Sequence, residues 1–350
     1  MTDTMAPIRI VTVREALREA LFEEMEADER VILMGEDVGR YGGAYAVSRG
    51  LLERFGERRV IDMPMSEALI VGSALGAAIV GGRPVAEIMY MDFATLGMDQ
   101  LANQAAKLHF MFGNQLRAPM VVRVQQGVGR GAGSQHSQSL EAWFAHVPGL
   151  KVVAPSTPAD AKGLLKASIR DDDPVLFIEH KGLYPRKGES AKPDHTVPIG
   201  VAEVKRTGDD VTLVAWSDMV HTALAAADRL VQRGVGVEVV DLRTLAPLDI
   251  ETLLASCRRT GRLVVAHESC RTAGLGAEIV ARVAEQLHGQ LRAPIRRVTT
   301  PDVILPANTA LEKALVPDTD SVVAAIENLL GGLRTHGGTS GHAADGRRRR

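Results

Sequence analysis

Apolar positions change period along this chain in a regular way. Leu17, Leu21 and Met25 recur at helical spacing, and the unbroken run Val31-Ile32-Leu33-Met34 reads as a buried strand ended by Gly35. The alternation continues with a helix over 66–82 capped by Ser66, a strand over 84–91, a helix over 98–112 and a strand over 120–124. A strand at 150–154, a helix opening at Ser156-Thr157-Pro158 and a strand at 175–178 complete this half. From Lys181 to Pro198 the periodicity fades and Lys, Gly and Pro accumulate, which predicts a linker. Beyond it come a strand at 211–216, a helix through Arg233, a strand at 236–240, a helix at 250–258 and a strand at 263–266. Strands that take turns with helices predict an α/β fold, with parallel sheets carrying helices on both faces.

A chain of 350 residues, 45% of them hydrophobic, exceeds one comfortable core, so about two domains of ~150 residues are expected. The pattern places them at 1–185 and 206–331, joined by a linker at 186–205; the Gly-rich tail 332–350, ending in four arginines, is expected to be disordered. With 41 basic against 43 acidic residues the net charge is −2, which gives no electrostatic reason to propose nucleic acid or an anionic membrane as partner. Cys257 and Cys270 are too few for a disulfide framework or a zinc site. The first residues lack a signal-peptide core, and no run approaches the ~20 apolar residues of a membrane span, so a cytoplasmic protein is expected.

Two positions stand out chemically. Glu67 opens a helix built from Gly72, Ser73, Ala74, Gly76, Ala77 and Ala78. A first-turn glutamate is favoured by the helix dipole alone, by roughly 0.3–1 kcal/mol. Desolvation among small apolar residues would also move its pKa toward the range of acid/base work. The small side chains let another backbone approach closely, and read alone they describe a buried helix; two glycines there, each costing roughly 1 kcal/mol against alanine, indicate a packing demand. His136 lies at the end of a loop with four glycines in seven residues, Gly127 to Gly133. Such a loop can approach a ligand, but it has neither the Walker lysine nor the strand-to-helix GxGxxG context of a phosphate site.

Several segments together resemble a known family. Gly35-Glu36-Asp37-Val38-Gly39, Tyr41-Gly42-Gly43-Ala44-Tyr45, Arg59 through Ala68, Gln135-His136-Ser137-Gln138, Pro148 through Pro155 and Asp241 through Asp249 are similar to the β subunit of the thiamine-diphosphate-dependent component of 2-oxo acid dehydrogenase complexes. The resemblance spans roughly residues 8–330. It implies a pyrimidine-binding domain followed by a transketolase C-terminal-type domain.

It also implies roles. Glu67 occupies the position of the glutamate that hydrogen-bonds the cofactor's aminopyrimidine ring and promotes ionisation of the thiazolium. Phe93 falls where an aromatic ring stacks on that pyrimidine; as a plain core aromatic it would be buried as well. Glu36 and Met65 are neighbouring cofactor-facing positions, and His136 matches the histidine that handles the acyl group and its transfer to lipoyl. Leu96 stands where the pyruvate branch commonly carries a cofactor-contacting glutamine. The Met120 carbonyl with Ser168, Ile169, Asp171 and Asp173 aligns with a structural potassium site, although Asp171-Asp172-Asp173-Pro174 also reads as a polar turn.

The magnesium-binding Gly-Asp-Gly run of such enzymes is missing, since Gly208-Asp209-Asp210 lacks the second glycine and the paired asparagines. The resemblance therefore implies an α subunit that holds magnesium and the diphosphate, two α and two β chains sharing the cofactor, and a lipoyl-bearing acyltransferase partner. The small-residue helix would suit such an interface. Ala86 through Phe93, Asn103 through Lys107 and Glu179 through Tyr184 lean toward the acetoin-cleaving branch over the pyruvate and branched-chain branches. An oxo-acid ferredoxin oxidoreductase is disfavoured by the two isolated cysteines. A non-catalytic assembly subunit is disfavoured by Glu67, Phe93 and His136.

Overall fold

Two helix starts are written into the local sequence. Thr12 and Glu15 form a capping box, in which the Thr12 hydroxyl accepts from Glu15 N at 3.2 Å and the Glu15 carboxylate accepts from Thr12 N at 2.7 Å, and this opens the helix Val13–Ala27. Thr157 caps Pro158–Arg170 in the same way, with proline at the first helical position. These two helices lie together on one face of a sheet, with the buried Lys166 donating to Glu23 at 2.7 Å between them. The computed structural model describes residues 9–331; the tail 332–350 lies outside them.

The strands, in chain order, are β1 (Ile10–Thr12), β2 (Val31–Gly35), β3 (Val60–Asp62), β4 (Arg83–Ile88), β5 (Val121–Gln126), β6 (Lys151–Val153), β7 (Val175–His180), β8 (Lys187–Glu189), β9 (Glu203–Arg206), β10 (Val211–Ala215), β11 (Val237–Asp241), β12 (Thr244–Ala246), β13 (Leu263–Cys270) and β14 (Arg296–Thr300). The first sheet has seven strands in the order β12-β6-β7-β5-β4-β2-β3, all parallel except β12 against β6. The second has five, β14-β13-β10-β11-β9, parallel except β9. Both faces are covered, which is why their strands read as continuous apolar runs. Leu33, Val85, Val121 and Phe177 face the helices just described, while Met34, Ala86, Val122 and Ile178 face Glu67–Ile79. That second face continues without a break into the other domain, through Val240, Leu253 and Val265, so the two domains share a core.

The expected α/β architecture is present, with four differences in detail. The stretch 186–205 carries strands at both ends, since β8 pairs with β1 and β9 with β11. β12, which follows the second domain's β11 in the chain, closes the edge of the first domain's sheet. The helix expected over 98–112 begins as a π-helical turn, Asp99–Ala105, and becomes α-helical only at Ala106–Met111, a winding that a 3.6-residue period cannot reveal. The small-residue helix ends at Ile79 and is not buried all round: Leu69 and Val80 are exposed, and the space beside Gly76 is open. Its other face packs into the core through Ile70, Val71, Ala74, Leu75 and Ala78.

At the centre of the first sheet the fully buried Arg123 on β5 reaches both neighbouring strands. It donates to Glu87 on β4 at 2.6 Å and to both oxygens of Glu179 on β7, at 2.6 and 2.9 Å. Tyr184 adds a hydroxyl donor to Glu179 at 2.5 Å. Burial raises the pKa of Glu87 and Arg123 pulls it back, as expected of one guanidinium shared by two carboxylates. Gly43, at φ 78°, brings a loop so close that a Cβ there would stand 3.0 Å from a Glu87 oxygen.

The domains are also tied by charge. His180, next after Glu179 on β7, meets Glu268 on β13 at 2.8 Å, both within the shared interior. Asp160 of the first domain pairs with Lys205 at 2.7 Å and Arg243 at 3.1 Å from the second.

Two predictions follow from these contacts. Glu179→Ala strands the buried guanidinium and costs about 3–5 kcal/mol in denaturant unfolding of the chain, well above the effect of an exposed pair such as Arg282–Glu278. Burial alone would lower the His180 pKa, but Glu268 lifts it from 6.5 to about 9. A raised folded-state pKa contributes stability that is complete below about pH 6.5 and is lost as the pH rises through about 9. Thermal unfolding of wild type against His180→Gln across that window measures it: the gap should close toward alkaline pH, and a gap that is constant with pH would contradict the assignment.

Candidate active site at the carboxyl ends of the first sheet

In parallel α/β sheets, ligands bind beyond the carboxyl ends of the strands. Here those ends carry the six residues singled out for catalysis and cofactor binding. Glu36 follows β2, Met65 and Glu67 follow β3, Phe93 and Leu96 follow β4, and His136 lies in the loop after β5.

Glu67 is the first residue of its helix and is half-buried. Ser66 occupies the N-cap position with extended backbone, but its side chain makes no capping hydrogen bond, so the first-turn amides keep their polarity toward the rim. Gly97 lies against this turn, where a Cβ would stand 3.4 Å from the Glu67 carbonyl. Glu36 is held above the ordinary carboxylate pKa by burial and by the nearby charges of Asp37 and Glu67. The Glu67 charge is thus near enough to act on the Glu36 carboxyl.

Phe93 and His136 come together, their rings edge-on with centroids 5.2 Å apart. A third ring, Tyr90, meets His136 at 5.0 Å and Phe93 at 6.2 Å, both nearly perpendicular. Tyr90 has φ 71°, a region sparsely used by bulky residues, and its N–H donates to the Gln125 side chain at 3.0 Å. Behind it Tyr45 packs edge-on at 6.3 Å and stacks on Tyr184 at 4.6 Å, joining the rim to the Arg123 cluster. Neither imidazole nitrogen of His136 has a hydrogen-bond partner among the described residues. Met65 is 77% and Leu96 61% exposed, so the rim presents apolar side chains at an open surface.

The loop that carries His136 is held from the second domain. The buried Glu312 carboxylate accepts from Gly129 N at 2.9 Å, Gly131 N at 3.1 Å and the Ser137 hydroxyl at 3.3 Å. Glu268 accepts from Val128 N at 2.8 Å and from Ser139 at 3.3 Å, and Gln138 donates to Asp92 at 2.8 Å. Gly127, at φ 94°, has to be glycine, because a Cβ would collide with the His180 ring at 2.1 Å. Lys181 donates to the His136 carbonyl. Sequence reading found neither Tyr90 and Lys181 nor Glu268 and Glu312. Only Tyr90 left a local trace, in the spacing Tyr90-x-x-Phe93.

The five residues proposed for potassium gather at the opposite, amino end of the same sheet. The carbonyls of Met120, Ser168, Ile169 and Asp171 each already have a donor. Arg83 donates to the carbonyls of Ile169 and Asp171 at 3.0 Å, Asp171 N to that of Ser168 and Val175 N to that of Met120. The Lys151 ammonium sits 2.7 Å from Asp171 and 3.1 Å from Asp173. Every carbonyl keeps a second lone pair, so the corner is compatible with a hard monovalent cation while protein cations also supply charge. Among the described residues no cluster of His, Cys, Asp and Glu has the makings of a transition-metal site.

Comparison with known proteins accounts for this arrangement. The transketolase pyrimidine-binding domain matches residues 9–187 and the transketolase C-terminal domain residues 200–322. The chain is 47% identical over 324 residues to the mitochondrial pyruvate dehydrogenase E1 component subunit beta-2 of Oryza sativa subsp. japonica, covering 91% of this chain and 86% of that one. It is 44% identical to the 2-oxoisovalerate dehydrogenase subunit beta of Bacillus subtilis, covering 91% and 98%. To the acetoin:2,6-dichlorophenolindophenol oxidoreductase subunit beta of Cupriavidus necator it is 43% identical, covering 93% and 98%. A solved structure described as a split gene transketolase, inactive beta4 tetramer, superposes with a TM-score of 0.75 at 25% identity, covering 92% of this chain and 98% of that one. The chain belongs to the transketolase-like family of E1 β subunits that serve pyruvate, branched-chain 2-oxo acid and acetoin dehydrogenases.

Proposed function

We propose that this chain supplies the pyrimidine-binding half of a thiamine diphosphate site, completed by an α subunit in an assembly of two α and two β chains. The observation that carries the reading is the meeting of the His136 imidazole and the Phe93 ring at 5.2 Å on the rim that also holds Glu67. Thiamine diphosphate supplies, when bound, the nucleophilic carbon and the electron sink for breaking the bond next to a substrate carbonyl. The residues here are suited to hold it. Glu67 would share a proton with a heterocycle nitrogen, and Glu36, whose pKa burial raises, would be a second carboxylate on the same rim. Phe93 offers a ring face, and Met65 and Leu96 exclude water. The unpaired imidazole of His136 is free to exchange a proton as the acyl group passes to a lipoyl carrier. The missing Gly-Asp-Gly run leaves magnesium and the diphosphate to the α subunit, and the uncovered small-residue face of Glu67–Ile79 fits an interface.

Acetoin is the substrate we favour, from the segments around Phe93 and Tyr184; the relatives, at 43–47% identity, span all three substrate classes, are mostly pyruvate dehydrogenase subunits and do not bear out acetoin over the others. Both cysteines are free and no described helix is long and apolar enough to cross a membrane, in keeping with a reducing, aqueous compartment.

Co-expression with the α subunit and turnover on acetoin, pyruvate and 2-oxoisovalerate with an artificial electron acceptor tests the reading. Glu67→Gln should still assemble but lose at least ~100-fold in turnover, as expected for a positioned acid/base group. Normal turnover in that variant, or robust activity of β alone, would overturn the assignment. Activity on pyruvate with none on acetoin would reverse the substrate choice. A structural potassium ion at the Asp171 corner should raise the unfolding temperature in KCl relative to choline chloride at equal ionic strength, and Asp173→Ala should remove that difference.

A further inference from the structure

Lys181 begins the turn after β7 and is 1% exposed, yet the reaction outlined above gives it no task. Its ammonium donates to the carbonyl oxygen of His136 and lies 5.2 Å from the centroid of the Tyr90 ring. An ammonium has three N–H bonds, and here only one finds an acceptor among the described residues, while the π face of Tyr90 takes a second direction. Burial lowers the pKa of Lys181, opposed by the carboxylates of Asp92, Glu268 and Glu312, with Arg130 adding to the burial effect. A cation with its hydrogen bonds only partly satisfied in an interior is expensive, and a lone carbonyl at a loop surface could be satisfied by water.

What the lysine adds is rigidity. Its own backbone N–H donates to Gln126 O at 3.0 Å, so the stem starts from the junction of β5 and β7 and ends on His136. The other loop contacts stop short of that residue. Glu312 holds Gly129, Gly131 and Ser137, Glu268 holds Val128 and Ser139, and Asp92 holds Gln138. The His136 peptide itself has one further tie, from its N–H to Gly133 O at 3.3 Å within the same loop.

We infer that Lys181 is the positioning residue for His136: by holding its carbonyl oxygen and covering Tyr90, it fixes the imidazole edge-on between Tyr90 and Phe93, where the acyl acceptor must arrive. The inference rests on the reading of His136 as the histidine of acyl transfer.

The α/β assembly carrying Lys181→Met or Lys181→Gln tests it. Methionine keeps an apolar stem without a donor, and glutamine keeps a donor without the charge. Three readouts are needed: amide hydrogen exchange of the segment 129–138, turnover with an artificial acceptor, and acyl transfer to a lipoylated carrier domain. Lys181→Met should exchange faster in 129–138 and lose about tenfold in lipoyl transfer, the effect of one charge-assisted hydrogen bond, while acceptor-linked turnover changes by less than about threefold. Lys181→Gln should recover part of both losses. Equal falls in the two activities with unchanged exchange would mean that Lys181 only balances the buried carboxylates, and the inference would fail; normal lipoyl transfer in Lys181→Met would also overturn it. If wild type transfers nothing to lipoyl while the loop still loosens in Lys181→Met, the role given to His136 falls and the positioning by Lys181 stands.

Discussion

One guanidinium disciplines the middle of this fold. Arg123 joins three adjacent strands, and those strands end in Tyr90 and Phe93, in the loop of His136, and in His180 and Lys181. A slip of any of the three relative to the others would break a charged contact in an interior with no water to replace it, so their relative heights are set far more sharply than apolar packing alone would set them. The constraint travels outward through side chains in contact: Glu179 to Tyr184, Tyr184 stacked on Tyr45, Tyr45 against Tyr90, and Tyr90 against His136. A rim that looks open at the surface is thus referenced to a rigid ionic centre below it.

Much of the scaffold was legible because parallel strands buried on both faces leave unmistakable apolar runs, as at Val31–Gly35 and Val211–Ala215. Strands of three residues such as β1, β8 and β12 leave none; they exist because a partner passes alongside, and no window of sequence contains that partner. The site divides in the same way. Glu67, Phe93 and His136 sit in local patterns, whereas Glu312 matters because it reaches Gly129 across 183 positions, and Lys181 because it reaches His136 across 45. The residues aligned with a potassium site lie together on one corner, but Lys151 and Arg83, which share that corner, come from other strands and gave no hint of it.

The small-residue helix carries a pattern that fits packing within this chain and packing against a partner alike. Among the described residues Gly76 has open space beside it and Gly72 only the Gln100 side chain, while apolar Leu69 and Val80 are exposed nearby. The same is true of Met65 and Leu96 around the rim. Apolar side chains left exposed beside these glycines and around the rim are the kind of surface that marks a protein–protein contact.

The strand Thr244–Ala246 has a consequence for synthesis. It is read from the message long after the sheet it completes, so while the ribosome is still making the second domain, β6 stands as a bare edge with unpaired amides and carbonyls. A nascent chain halted between the two domains would present that edge to its neighbours on a polysome. Release of the first domain from aggregation risk therefore waits on the second, and a gene split at the apparent domain boundary would yield an N-terminal fragment with its own sheet unfinished.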